Sequence, residues 1–258
     1  HLDGIPAGGF ENWRDGFGWE NWRAEIDQTL SLAEEAAHRA KLERSRRERD
    51  LEETKRKATA RKRALSVLEE AEPCESHPYT DRKGIQVHGA RLLGDRLVLP
   101  LRDAEGTTHS LQFIGTDGEK RYLTGGRKAG CFFEIGKPAD VLCIAEGFAT
   151  GASIHEATGY AVAVAFDAGN LAAVTKALRK KHPDLRVIVC ADDDYLTAGN
   201  PGISKATEAA LSIDGMLAVP EFGEGRDEKD TDFNDLHQRS GLDAVRRCIE
   251  AARKVRVS

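Results

Sequence analysis

Two runs of apolar residues dominate the hydropathy pattern, Val141-Leu142-Cys143-Ile144-Ala145 and Val187-Ile188-Val189-Cys190-Ala191. Neither alternates with polar residues, so each reads as a strand buried on both faces, the habit of parallel sheets. Each stops at acid: Glu146-Gly147 follows the first run and Asp192-Asp193-Asp194 the second. Residues 148–158, closed by Gly159, read as a helix, and residues 161–165 as another apolar strand. A second helix follows Gly169-Asn170 and runs to Lys180-Lys181, whose charge suits a helix C-terminus. Asn200-Pro201-Gly202 opens a third, with Pro early in the helix, and residues 216–219 are a fourth strand. Strands alternating with helices predict a doubly wound, Rossmann-like parallel α/β layer over residues 138–223.

Upstream the pattern changes. Residues 73–137 hold short apolar stretches (96–101, 109–114 and 120–123) separated by Asp/Gly turns. This predicts a small mixed α+β subdomain, mainly antiparallel, with a basic turn over residues 79–85. Residues 24–72 contain no Gly or Pro and predict one long helix ended by Pro73. From Glu34 to Ala64 this helix carries twelve Lys or Arg and seven Asp or Glu. Acid precedes base by four at Glu35/Arg39, Glu43/Arg47, Glu52/Arg56 and Glu53/Lys57. A helix polar all round is a solvated spacer held by such pairs, and its surplus positive charge also suits a phosphate backbone. Residues 1–23 hold all three tryptophans, arranged about Asp15-Gly16. They predict a small hairpin whose rings pack on one another or stack on single-stranded bases. Residues 224–258 continue an acidic loop through Asp232-Phe233-Asn234-Asp235-Leu236 into an amphipathic helix over residues 242–253, with Asp232 placed to cap the helix after it.

Composition narrows the function classes. The net charge of −5 argues against a uniformly basic nucleic-acid coat protein, although charge is segregated along the chain. No apolar run is long enough to span a bilayer and no signal-peptide pattern is present, so a cytoplasmic location without membrane partners is expected. The five cysteines lack C-x-x-C spacing and read as reduced structural thiols. The first residue is His1, which suggests a piece of a longer gene or a processed chain.

In an open α/β sheet the carboxyl ends of the strands line the functional crevice, which brings Glu146, Asp192 and Asp194 towards one spot. Carboxylates that close repel one another unless some are protonated or a cation sits between them. Magnesium takes oxygen ligands and tolerates bound water and phosphate, so the pattern points to metal-dependent phosphoryl transfer. Asp193 reads as a solvent-facing neighbour of that pair. Asp232 either caps its helix or adds a metal-side carboxylate. Arg82, Lys83, Arg96, Lys120 and Arg121, with Arg127 and Lys128, make residues 73–137 the basic partner of the acids, a track for template phosphates or an incoming triphosphate.

Glu146-Gly147 after one strand and Asp192-Asp193-Asp194 after another resemble the TOPRIM domain of DnaG-type primases, type IA and II topoisomerases, small recombination proteins and some nucleases. Residues 96–101, 103–106 and Arg121-Tyr122-Leu123 are similar to the segment preceding that domain in DnaG-type primases. Residues 165–171, Gly199-Asn200-Pro201-Gly202 and residues 231–237 resemble the phage, plasmid and mobile-element branch. The resemblance covers about residues 77–250 and implies a primase catalytic core that makes short primers on single-stranded DNA from nucleoside triphosphates. It implies Mg2+ or Mn2+ held by Glu146, Asp192 and Asp194, extended by Asp232 and Asp235, with a replicative helicase as a candidate partner. Three departures stand out. Thr150 occupies the position of a further acid, residues 111–114 lack a terminal Arg, and Asn234 stands where the third motif has a carboxylate. Two other readings remain open: TOPRIM strand cleavage of the nuclease or topoisomerase kind, and a non-catalytic nucleic-acid-binding replication module.

Overall fold

The computed structural model describes residues 7–11, 19–23 and 32–255. The chain divides into two units, residues 1–56 and 57–258. In the first, β1 (Ala7–Glu11) and β2 (Trp19–Arg23) pair antiparallel from Ala7 opposite Arg23 to Glu11 opposite Trp19. This is the expected hairpin; its turn and the rings of Trp13 and Trp19 lie outside what is described, as do residues 24–31 of the expected helix. Helix α1 (Leu32–Glu70) is exposed throughout residues 46–59, as a polar spacer should be.

From Ala60 onward α1 is not a spacer. Ala64, Val67, Leu68 and Ala71 pack against Val98, Leu111, Leu123, Leu93 and Phe113 of an antiparallel sheet. The helix ends at Glu70 rather than at Pro73, because β3 (Glu72–Pro73) already pairs with the next strand. Next comes α2 (Pro78–Lys83), a short helix where a basic turn was expected. Its signal is a capping box: His77 Nδ1 accepts from Tyr79 N–H, and Thr80 Oγ1 accepts from His77 N–H. Strands β4 (Arg91–Leu93), β5 (Arg96–Arg102), β6 (Thr108–Ile114) and β7 (Lys120–Tyr122) then complete the sheet in the order β3-β4-β5-β6-β7. Alternation divides β5 between two cores: Val98 faces α1, while Leu97, Leu99 and Leu101 join the main core.

The second sheet begins with β8 (Phe133–Ile135) and β9 (Val141–Ala145), followed by α3 (Phe148–Thr158), β10 (Ala161–Val164), α4 (Ala168–Lys181), β11 (Arg186–Cys190), α5 (Pro201–Leu211) and β12 (Met216–Ala218). Then come α6 (Phe233–Ser240), α7 (Leu242–Glu250) and β13 (Arg253–Lys254). The order is β13-β12-β11-β9-β10-β8, with the four inner strands parallel and both edges antiparallel. The amphipathic helix expected over residues 242–253 stops at Glu250, because Arg253 and Lys254 pair with Leu217 and Met216. The buried strands send alternate residues to opposite faces. Cys143, Val162 and Ile188 share a core with α3, α6 and α7, while Leu142, Ile144 and Val189 share one with α4 and α5. From β9 the chain crosses to β10 on one side and then to β11 on the other, so β9 and β11 flank the switch point of the sheet.

Asn170, in the first turn of α4, ties this layer to the loop before β8. Its Nδ2 donates to the carbonyls of Lys128, Cys131 and Ala165, and its Oδ1 accepts from Gly130 N–H at 2.7 Å. The side chain is buried, so truncation strands several polar groups at once. Asn170→Ala is expected to lower unfolding stability by ~3 kcal/mol, read as a lower urea midpoint at unchanged slope.

Candidate active site

Glu146 is the first residue beyond β9. Val189 lies opposite Ile144 in the adjoining strand, which puts Ala191 level with Glu146 and Asp192 one step further out. Asp194 follows, and its Oδ2 accepts from Gly202 N–H in the first turn of α5 at 3.1 Å. That turn comes so close that a Cβ on Gly202 would lie 2.2 Å from the Asp192 carbonyl oxygen. The third acidic segment arrives from α6. Asp232 Oδ1 caps the helix by accepting from the Asn234 and Asp235 amides, and its Oδ2 accepts from Thr150 Oγ1 at 3.0 Å. A hydroxyl at position 150 therefore supports Asp232, where a further carboxylate would repel it.

The acids act on one another. Burial holds the Asp192 carboxyl well above its usual range, reinforced by Asp232, Glu146 and Asp194 and opposed by Lys120. Burial also raises Glu146, helped by Asp194 and Asp167 and opposed by the Ala168 amide and Lys120. Asp232 is raised by burial and Asp235, against the Asp235 amide, Lys83 and Thr150. Asp192 Oδ1 is buried without a hydrogen-bond partner. An all-oxygen donor set with an orphaned buried carboxylate oxygen fits a hard divalent cation. Among the described residues, however, no three Asp, Glu, His or Cys side chains are grouped so as to hold a metal ion by themselves. A cation bound to these acids would therefore complete its shell with water or phosphate oxygens.

The structure redistributes the other expected site residues. Asp193 is not solvent-facing: its side chain is only 14% exposed and pairs with Arg226 Nη1 at 2.5 Å. Asn200 Nδ2 donates to its other oxygen, and Arg226 lies over the rings of Tyr195 and Phe222. Asp193 thus anchors the acidic loop to the sheet. Asp235 turns inward, accepting from Thr231 and Asp232 amides, with Lys83 Nζ 3.7 Å from its outer oxygen. Asn234 is fully buried and donates to Lys83 O and Ser153 Oγ, joining α6 to α2 and α3.

The basic residues do not form one group. Lys120 is the cation that acts on Glu146 and Asp192, and Lys83 acts on Asp232. Arg82 is held against the turn after β6 by donating to Thr116 O. Arg121 leaves β7 on the opposite side from Lys120. With Arg63, Arg96, Phe113 and Tyr122 it lines a groove of about 450 Å³ beside α1.

Four further residues shape the crevice in ways that motif spacing alone does not assign. Asp167 caps α4, pairs with Lys128 and adds charge beside Glu146. Phe166, at φ 74°, occupies a backbone region rare for a bulky residue; its N–H donates to Glu146 O and its carbonyl accepts from Tyr122 OH. Thr150 and Arg226 complete the set. Each left a trace in sequence: Thr150 as a departure from the motif, Phe166 and Asp167 within residues 165–171, and Arg226 as one of two bases in an acidic loop.

A family model described as the Toprim domain matches residues 141–243. DNA primase TraC of Escherichia coli is 37% identical over 273 residues, covering 98% of this chain and 25% of the relative. A second Escherichia coli DNA primase TraC is 37% identical over 235 residues, covering 86% of the chain and 16% of the relative. The chain thus spans a quarter or less of the length of these relatives. The primase fragment of the bacteriophage T7 primase-helicase protein aligns with a TM-score of 0.46 at 15% identity, over 68% of this chain and 70% of that one.

Because the folded state raises the Asp192 carboxyl, it holds that proton more tightly than the unfolded chain does. The metal-free protein therefore loses stability as pH rises through and above the ordinary carboxylate range. Asp192→Asn is expected to melt at a higher temperature than the parent in EDTA at pH 7, with the difference vanishing near pH 3. A scan of melting temperature against pH checks this.

Proposed function

We propose that this chain, a Toprim-domain member of the plasmid-type primases homologous to TraC, is a DNA primase catalytic core that joins nucleotides into primers on a single-stranded template. The observation that carries this reading is the crevice itself: Glu146 and Asp192 at the ends of neighbouring parallel strands, each under the charge of Lys120. Glu146, Asp192 and Asp194 would hold Mg2+ or Mn2+, with Asp232 adjoining. The bound metal supplies charge stabilisation at the attacking 3′-oxygen and at the departing pyrophosphate. Lys120, with Lys83 and Arg82 on α2, meets the triphosphate. Asp235 helps position Asp232 through the capping box rather than acting as a primary ligand.

Template phosphates and bases run along the groove of Arg63, Arg96 and Arg121, where Phe113 and Tyr122 offer apolar surface. A topoisomerase reaction from this chain alone is disfavoured at the crevice, because the Tyr122 hydroxyl is engaged, accepting from Gln112 and donating to Phe166 O. Association with a replicative helicase belongs to the same proposal and rests on the family alone.

Primer synthesis on single-stranded DNA, with labelled nucleotides and Mg2+ or Mn2+, tests the assignment. Glu146→Ala and Asp192→Ala are each expected to reduce incorporation by about 100-fold or more while leaving the chain folded. Full incorporation by either variant would remove the catalytic assignment, and metal-dependent DNA degradation without incorporation would replace it with strand cleavage.

A further inference from the structure

A second basic concavity lies along α1. Lys57, Ala58 and Arg61 of the helix meet His109 and Arg127 across a cavity of about 290 Å³, and none of these described lining residues is acidic. The helix repeat explains the placement. Ala60, Ala64 and Ala71 face the sheet, so Lys57 and Arg61 emerge on one flank and Arg63 on the other. His109 shares its face of β6 with Leu111 and Phe113, which pack towards α1.

The sheet half of this pocket is held rigidly from behind. Asp103 Oδ2 accepts from His109 Nε2 at 2.6 Å and from Arg127 Nη2 at 3.0 Å, and its Oδ1 accepts from Thr107 N–H. Burial works against the Asp103 charge, but the bonds from His109 and Thr107 and the charge of Arg127 outweigh it and keep the carboxyl below its usual range. One half-buried carboxylate thus orients two cationic or donor side chains, while Lys57 and Arg61 approach from the helix. Asp103 is matched by Arg127, Arg61 adds positive charge from the helix, and preorganised cationic donors in a shallow cavity suit a phosphate oxyanion.

We infer that this pocket binds a backbone phosphate of single-stranded nucleic acid, extending the contact surface across α1 to the flank away from the Arg96–Arg121 groove. The choice of nucleic acid as the source of the phosphate rests on the proposed function; the pocket itself does not. Its residues are separate from the carboxylates, so occupancy does not require metal.

The test is fluorescence anisotropy of a labelled oligothymidylate with the whole chain, in EDTA and without nucleotides, over a series of salt concentrations. Lys57→Glu/Arg61→Glu is expected to weaken binding about 10-fold and to flatten the salt dependence by roughly 0.7 for each phosphate no longer neutralised. Lys57→Gln/Arg61→Gln gives a smaller change of the same sign and serves where charge reversal disturbs folding. Unchanged affinity and salt slope in a folded variant overturn the inference. So does a variant that loses affinity for a free nucleoside triphosphate while keeping its affinity for the oligonucleotide, since the phosphate source would then be the nucleotide. Failure of primer synthesis alone bears on the proposed function and not on this pocket, because the binding measurement involves no catalysis.

Discussion

Glu146 and Asp192 stand at the ends of hydrogen-bonded neighbours, where burial and mutual repulsion both disfavour their charged forms. Everything around the crevice answers that constraint. The charge of Lys120 on the antiparallel sheet opposes it, the Gly202 amide donates to Asp194, and Thr150 donates to Asp232. None of these neutralises Asp192 Oδ1, which keeps its lone pairs unused in the interior. Negative charge on these acids is therefore disfavoured by their own surroundings.

The same constraint explains why two sheets are required. A parallel sheet delivers carboxylates at its strand ends but supplies few cations there. The antiparallel sheet contributes Lys120 from one face of β7 and Arg121 from the other, so one short strand serves both the acidic crevice and the groove beside α1. Asn170 makes the pairing rigid by holding carbonyls of the intervening loop at the start of α4. Arg226 does the equivalent for the acidic loop, locking Asp193 and the Asp230 carbonyl together while it lies over two aromatic rings.

The buried strands were legible because each is a short unbroken apolar run ending in acid, a pattern that few other structures explain. Helix α3 was legible to the residue through its closing Gly159, which adopts φ 72°. Boundaries failed where a tertiary partner decided them. β3 pairs before Pro73 can act as the helix stop, α2 depends on a histidine cap, and β13 takes residues that periodicity alone assigns to a helix.

By itself the sequence determined which residues could bear charge at a strand end, because hydrophobic periodicity fixes where a strand must stop and which side chains stand just beyond it. Glu146, Asp192 and Asp194 needed nothing more. The direction in which charge points is a different matter, since it depends on partners distant in the chain. Only the tertiary structure turned Asp193 away from its neighbours towards Arg226, and folded Asp235 back into a helix cap. It also separated Lys120 from Arg121 and placed Asp167 beside Glu146. Adjacent residues in a strand face opposite ways, and a carboxylate's role is set by whichever donor reaches it first.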